Sequence, residues 1–186
     1  MPDGHSHMRE HKGKKDPDHL IRTHALSILD SPNFQKTDGF VQHGTTSCQM
    51  HCLAVARLSL RLAERFRLRH NPGSLIRGAL LHDFFLYDWH VPQASKGLHG
   101  YTHPRAALTN AETEFDLNAV ERDIILRHMF PLTIVPPRHI ESWLVCIADK
   151  ICSLEEIFRL RPDRRLADAS LFRHLPDPRY PLSLRQ

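Results

Sequence analysis

The sequence predicts an all-α fold: one compact helical domain of about six main helices. Three observations carry this. Large apolar residues recur three or four apart over long stretches, the spacing of one helix face. Those stretches open at capping residues or prolines and close at proline or glycine. The two-residue alternation of a half-buried strand is weak throughout. At 186 residues the chain fits a single domain. It divides into a polar leader (1–16), a helical body (17–160) and a C-terminal extension (161–186).

Asp16 before Pro17 is a helix-start signal, a capping carboxylate with proline in the first turn. The first helix runs from about Asp18 to Leu29 and stops before Ser31-Pro32. A loop follows through Gly39 and Gly44. Thr46 or Ser47 caps a second helix ending near Phe66, with Val55, Leu58, Leu62 and Phe66 on one face. Asn71-Pro72-Gly73 breaks the chain, and a strongly apolar third helix (Leu75, Ile76, Ala79, Leu80, Leu81) ends around Phe85. A long connection with Pro92, Gly97 and Gly100 leads to His103-Pro104, which opens a fourth helix through Ala107 and Ala111. Leu117 to Met129 reads as a fifth, stopped by Pro131. Pro136-Pro137 precedes a sixth from about Arg138 to Leu160, apolar nearly all round between Trp143 and Ile147 and therefore predicted to be central. The remainder, rich in proline, reads as loop or short helix.

Composition excludes several classes. A net charge of +4, with no basic stripe interleaved with aromatics, is not the footprint of a nucleic-acid binder. No apolar run approaches membrane-spanning length, and the leader has no apolar stretch after its charges, so neither a membrane span nor a secretory signal is expected. The expected location is the cytoplasm. Cys48, Cys52, Cys146 and Cys152 match neither a zinc pattern nor a disulfide framework, and read as reduced, buried thiols. Of the 15 histidines, His5, His7 and His11 fall in the polar leader. The informative ones come later.

Metal-binding side chains stand where core residues belong. His51 precedes Val55, Leu58 and Leu62 at spacings of four, three and four, so its imidazole points inward with them. His82 continues the line of Leu75 and Ala79, and Asp83 follows it. His103 stands at a helix start, and His128 lies four after Ile124. Asp149 sits in the apolar run Leu-Val-Cys-Ile-Ala-Asp-Lys. A lone inward histidine is more often a hydrogen-bonded core residue than a ligand. A buried aspartate needs a cation or several donors, because unpaired it costs several kcal/mol or gives up its charge. One or two divalent ions (iron, manganese or zinc) explain all six positions together. Asp83, with two oxygens to offer, is placed to bridge a pair.

The order His51, His82-Asp83, Asp149, each in a helical context, resembles the HD superfamily of metal-dependent phosphohydrolases. GALLHDF resembles its apolar-then-HD helix, and CIADKI its final aspartate followed by a basic residue. The resemblance covers about residues 44 to 158. His103 and His128 fall where binuclear members place two further histidines. It implies a helical domain, metal-activated water, and hydrolysis of a phosphoester or phosphoanhydride in a nucleotide or other small phosphorylated metabolite. Asp83 is then the catalytic carboxylate, and Lys150, Arg105 and Arg127 are the candidates to neutralise phosphate. The Gly-Tyr-Pro signature of cyclic-dinucleotide phosphodiesterases is missing. The segment with Tyr87, Asp88, Trp89, His90 and His99 is a candidate pocket wall. Two other readings share the ligand set: a carboxylate-bridged di-iron oxygenase, and a non-catalytic nucleotide sensor.

Overall fold

Seven helices and one small hairpin make up the described part of the computed structural model, residues 16–43, 46–87 and 99–158. The fold is all-α, as the sequence predicts. Both the leader and the C-terminal extension lie almost wholly outside the described residues, as do Asp88, Trp89 and His90.

Helix α1 (Pro17–Leu29) starts as expected, with the Asp16 carboxylate accepting from the Asp18 N–H. It turns Ile21, Ala25, Ile28 and Leu29 inward. The expected loop is more ordered than the sequence suggested. Ser31 caps a short helix α2 (Pro32–Lys36), then a 3-10 turn (Thr37–Gly39) leads to β1 (Val41–His43), paired antiparallel with β2 (Thr46–Ser47). Strands of two and three residues are too short to show alternation, so the hairpin left no periodic trace.

Ser47 accepts from the Met50 N–H and starts α3 (Cys48–Arg65). Asn71-Pro72-Gly73, expected as a break, is instead the cap and first turn of α4 (Pro72–Leu81), with Asn71 accepting from the Ser74 N–H. That helix ends before Phe85: His82 caps it and Asp83 lies in the turn beyond. Helix α5 (His99–Glu114) opens four residues before His103 and carries Pro104 inside it, at the cost of one backbone bond near its start. Helix α6 (Ala119–Arg127) starts at an Asn118/Glu121 capping box and is capped at its far end by His128. Helix α7 (Ile140–Phe158) completes the set.

Helix α3 packs between α4 and α7, α4 also rests on α1 and α6, and α6 contacts α5 and α7. Leu53, Val55, Leu75, Ile76, Leu80, Ile124 and Val145 are fully buried where these helices meet. Gly78 permits the closest approach: a Cβ there would stand 3.0 Å from Ile124 Cβ. One expectation about α7 fails. Leu144, Val145, Ala148 and Cys152 are buried, but Trp143 and Ile147 remain 38% and 46% exposed, because only one side of the helix meets the bundle. Among the described residues no helix is long and apolar enough to cross a membrane.

Candidate metal centre

The six residues singled out in the sequence come together. His51 is supplied by α3, His82 and Asp83 by the end of α4, His103 by α5, His128 by the end of α6, and Asp149 by α7. All six are buried. His51, His82 and Asp149 place ligand atoms within 4.8 Å of one another, and so do His82, Asp83 and His128.

Three of the imidazoles are oriented through Nδ1. His82 Nδ1 donates to the Ala79 carbonyl at 2.7 Å and His128 Nδ1 to the Ile125 carbonyl at 2.8 Å. A carbonyl only accepts, so the ring proton sits on Nδ1 and Nε2 keeps a lone pair. His51 Nδ1 lies 3.0 and 3.1 Å from the two Glu156 oxygens, which fixes the same tautomer. The lone pairs then face acceptors. His51 Nε2 is 3.2 Å from Asp149 Oδ1. His82 Nε2, without a hydrogen-bond partner, is 3.4 Å from Asp83 Oδ2 and 3.8 Å from Asp149 Oδ1. The Nε2 atoms of His128 and His103 converge at 2.8 Å. Lone pairs and carboxylates converging in a buried space need cations or protons between them, and imidazoles with carboxylates are a donor set that divalent transition metals accept. The residues fit a metal.

Asp83 divides between two groups. Its Oδ1 lies 3.2 Å from His103 Nε2 and 3.5 Å from His128 Nε2; its Oδ2 faces His82 and, at 3.9 Å, His51. Without metal, protons supply the balancing charge. Burial opposes a charged ring at His82, but Asp83, Cys52 and Asp149 together outweigh it and hold the pKa at about 9. Burial likewise opposes charge at His51, where Asp149 and Glu156 prevail and raise it. Burial followed by repulsion from His82 and His103 pushes His128 down to about 3. Asp83 and Asp149 are held below the usual carboxylate range, against burial, by the surrounding imidazoles.

The cluster opens into a cavity of about 600 Å³, lined on the polar side by Gln42, Asp83, His103, His128, Asp149, Lys150 and Ser153, and on the apolar side by Gly100, Met129, Pro131 and Leu132. Lys150 donates to the His128 carbonyl at 2.7 Å and reaches the cavity wall. The other two basic candidates lie elsewhere: Arg105 is exposed on α5, and Arg127 pairs with Asp123 at 2.6 Å. Tyr87 packs against Phe85 at 4.9 Å between ring centres and does not line the cavity. Cys48 donates to the Asp83 carbonyl, and all four thiols are free and buried, as expected.

Sequence reading missed Gln42 and Glu156. Glu156 follows Asp149 by seven residues, two helical turns on the same face, so the signal was there. Gln42 Nε2 donates to Asp83 Oδ2 at 2.6 Å from β1, across 41 residues, and no local pattern announces it.

Comparison with protein-family models matches residues 49–154 to the HD domain, more than half of the chain. The match contains all six clustered His and Asp residues. Neither the curated proteins nor the solved structures gave a match. The helical fold, the His82-Asp83 pair at the end of α4 and the family match agree, and the chain belongs to the HD domain family.

Proposed function

We propose that this chain is a phosphohydrolase acting on a nucleotide or another small phosphorylated metabolite, with a two-ion centre in which Asp83 is shared. Family membership supports the general chemistry, since the HD superfamily consists mostly of metal-dependent hydrolases. The observation that carries the two-ion reading is the division of Asp83: Oδ1 toward His103 and His128, Oδ2 toward His51 and His82. One ion would be held by His51, His82, Asp83 and Asp149, the other by Asp83, His103 and His128. Divalent ions there would acidify a water and draw charge from the phosphoryl oxygens.

The protein's own groups do the rest. The Nδ1 bonds to Ala79, Ile125 and Glu156 keep three imidazoles in the tautomer that presents Nε2. Ser153 donates to Asp149 Oδ1 at 3.3 Å and steadies that carboxylate. Asp83 can only accept, so Gln42 must present its amide N–H₂ to it; this leaves the buried Gln42 Oε1 as an acceptor for a water or a substrate hydroxyl. Lys150 is the proposed phosphate contact, with its amine at the cavity wall and one proton committed to His128. The cavity volume falls within the range of small-molecule sites.

Metal analysis of the purified protein, joined to a phosphate-release screen over nucleotides and sugar phosphates, tests the reading. The expected result is bound transition metal and phosphate release that Asp83→Asn abolishes. Metal-loaded protein that releases no phosphate from any member of the screen would overturn it, and oxygen consumption by an iron-loaded form would favour the oxygenase.

A further inference from the structure

Every residue of α7 that is exposed is a large apolar one. Ile140, Trp143, Ile147, Ile151, Leu154 and Phe158 have 36–64% of their surfaces open, and Ile157 joins them at 55%. A solvated helix face carries charges, whereas a helix that is apolar all round belongs inside something. The inner face already packs on α3 and α6, so the outer face is a second, uncovered interface.

We propose that a second copy of this chain covers it, the α7 helices of two protomers pairing about a twofold axis. Ile140, Ile147 and Leu154 stand at a seven-residue interval, with Trp143 and Ile157 three residues after the first and last and Lys150 three after the middle one. That repeat is the pattern of a helix that packs against another like itself. The seven side chains expose roughly 650 Å² per chain, close to the ~800 Å² each partner contributes to a standard stable interface and at or above the largest patch a monomer usually leaves open. Lys150 interrupts the face, its side chain 39% exposed with the amine turned to the His128 carbonyl, so the occupant needs a largely apolar face of the same length. With 19 residues α7 is about 28 Å long, and its twofold mate matches it by construction.

The competing occupant within the chain is segment 159–186. It carries Leu160, Leu166, Leu171, Phe172, Leu175, Leu182 and Leu184, but Pro162, Pro176, Pro178 and Pro181 divide it, and a helix over the proline-free run 163–175 would be only about 20 Å long, shorter than α7.

Sedimentation velocity of the full chain at micromolar concentration tests the proposal, which is independent of the hydrolase reading. The wild type should sediment as a dimer, and Ile147→Glu/Leu154→Glu as a monomer with unchanged helical circular dichroism. A full chain carrying Leu171→Glu/Phe172→Glu should remain dimeric. A monomeric wild type overturns the proposal, as does a dimer that survives the α7 charges. Dissociation by the Leu171/Phe172 pair overturns it too, and assigns the contact to segment 159–186. If the doubly charged protein does not fold, Ile147→Ser should weaken the dimer by about tenfold or more, and an unchanged dissociation constant overturns the proposal.

Discussion

Replacing Glu156 tests whether the centre extends beyond the groups that would touch an ion. Both Glu156 oxygens lie within 3.1 Å of His51 Nδ1; the ring is fully buried, and the Glu156 side chain is 12% exposed. The Nδ1 groups of His82 and His128 bond to neutral carbonyls, so of these three rings His51 alone is backed by a full negative charge. Hydrogen bonds to a charged partner contribute about 1.5–3 kcal/mol. Loss of such a backing group from a metal-ligating histidine lowers affinity about 10–100-fold, or about 1.4–2.8 kcal/mol, so the two scales agree. Glu156→Ala should therefore weaken metal binding by about 10–100-fold, read by competition with a chromophoric chelator. Glu156→Gln keeps an acceptor for the Nδ1 proton but removes the charge, and should fall between Ala and wild type. Wild-type affinity in both variants would refute the argument that Glu156 sets the tautomer and basicity of His51.

Three further outcomes follow from the same geometry. Metal counted per chain should fall by about one ion in His128→Ala and by both in Asp83→Ala if Asp83 is shared; equal counts in wild type and His128→Ala would remove His128 from the ligands. Because the metal-free pKa of His82 is raised to about 9, its proton stabilises the metal-free fold fully below about pH 6.5, and that contribution is lost as pH rises through 9. The depressed carboxylates and His128 do not titrate in that window, and His51, whose pKa is raised by Asp149 and Glu156, acts in the same direction as His82. The drop in Tm on chelation should therefore be larger at pH 9 than at pH 6.5, and a constant drop would show that metal does not replace the protons of His82 and His51. Gly78→Ala should destabilise the fold by about 1–3 kcal/mol in denaturant unfolding, since the new methyl meets the Ile124 side chain between α4 and α6; a neutral result would mean those helices separate freely.

Local signals in the sequence carried much of the architecture. Caps at Asp16 and Ser47 and the three-four spacing along α3 depend on neighbours within one or two turns, and they placed both helices correctly. His51, His82, His128 and Asp149 were legible for the same reason: helical periodicity states which way a side chain points, and a polar group pointing inward requires a reason. The Asn71-Pro72-Gly73 start of α4 is equally local yet reads as a break, because proline and glycine mark both ends of helices.

Only the tertiary structure decided the rest. That four helices converge so that one Asp83 oxygen faces each histidine pair is a property of packing, not of spacing. Gln42 reaches Asp83 from a strand too short to show a pattern, across a separation no periodicity spans. The sequence of α7 established that it is apolar nearly all round between Trp143 and Ile147, yet could not say which side the bundle would use. The physical reason is that apolar burial is non-directional. A helix can satisfy it with any face, and the contacts of α3 and α6 chose one and left the other open.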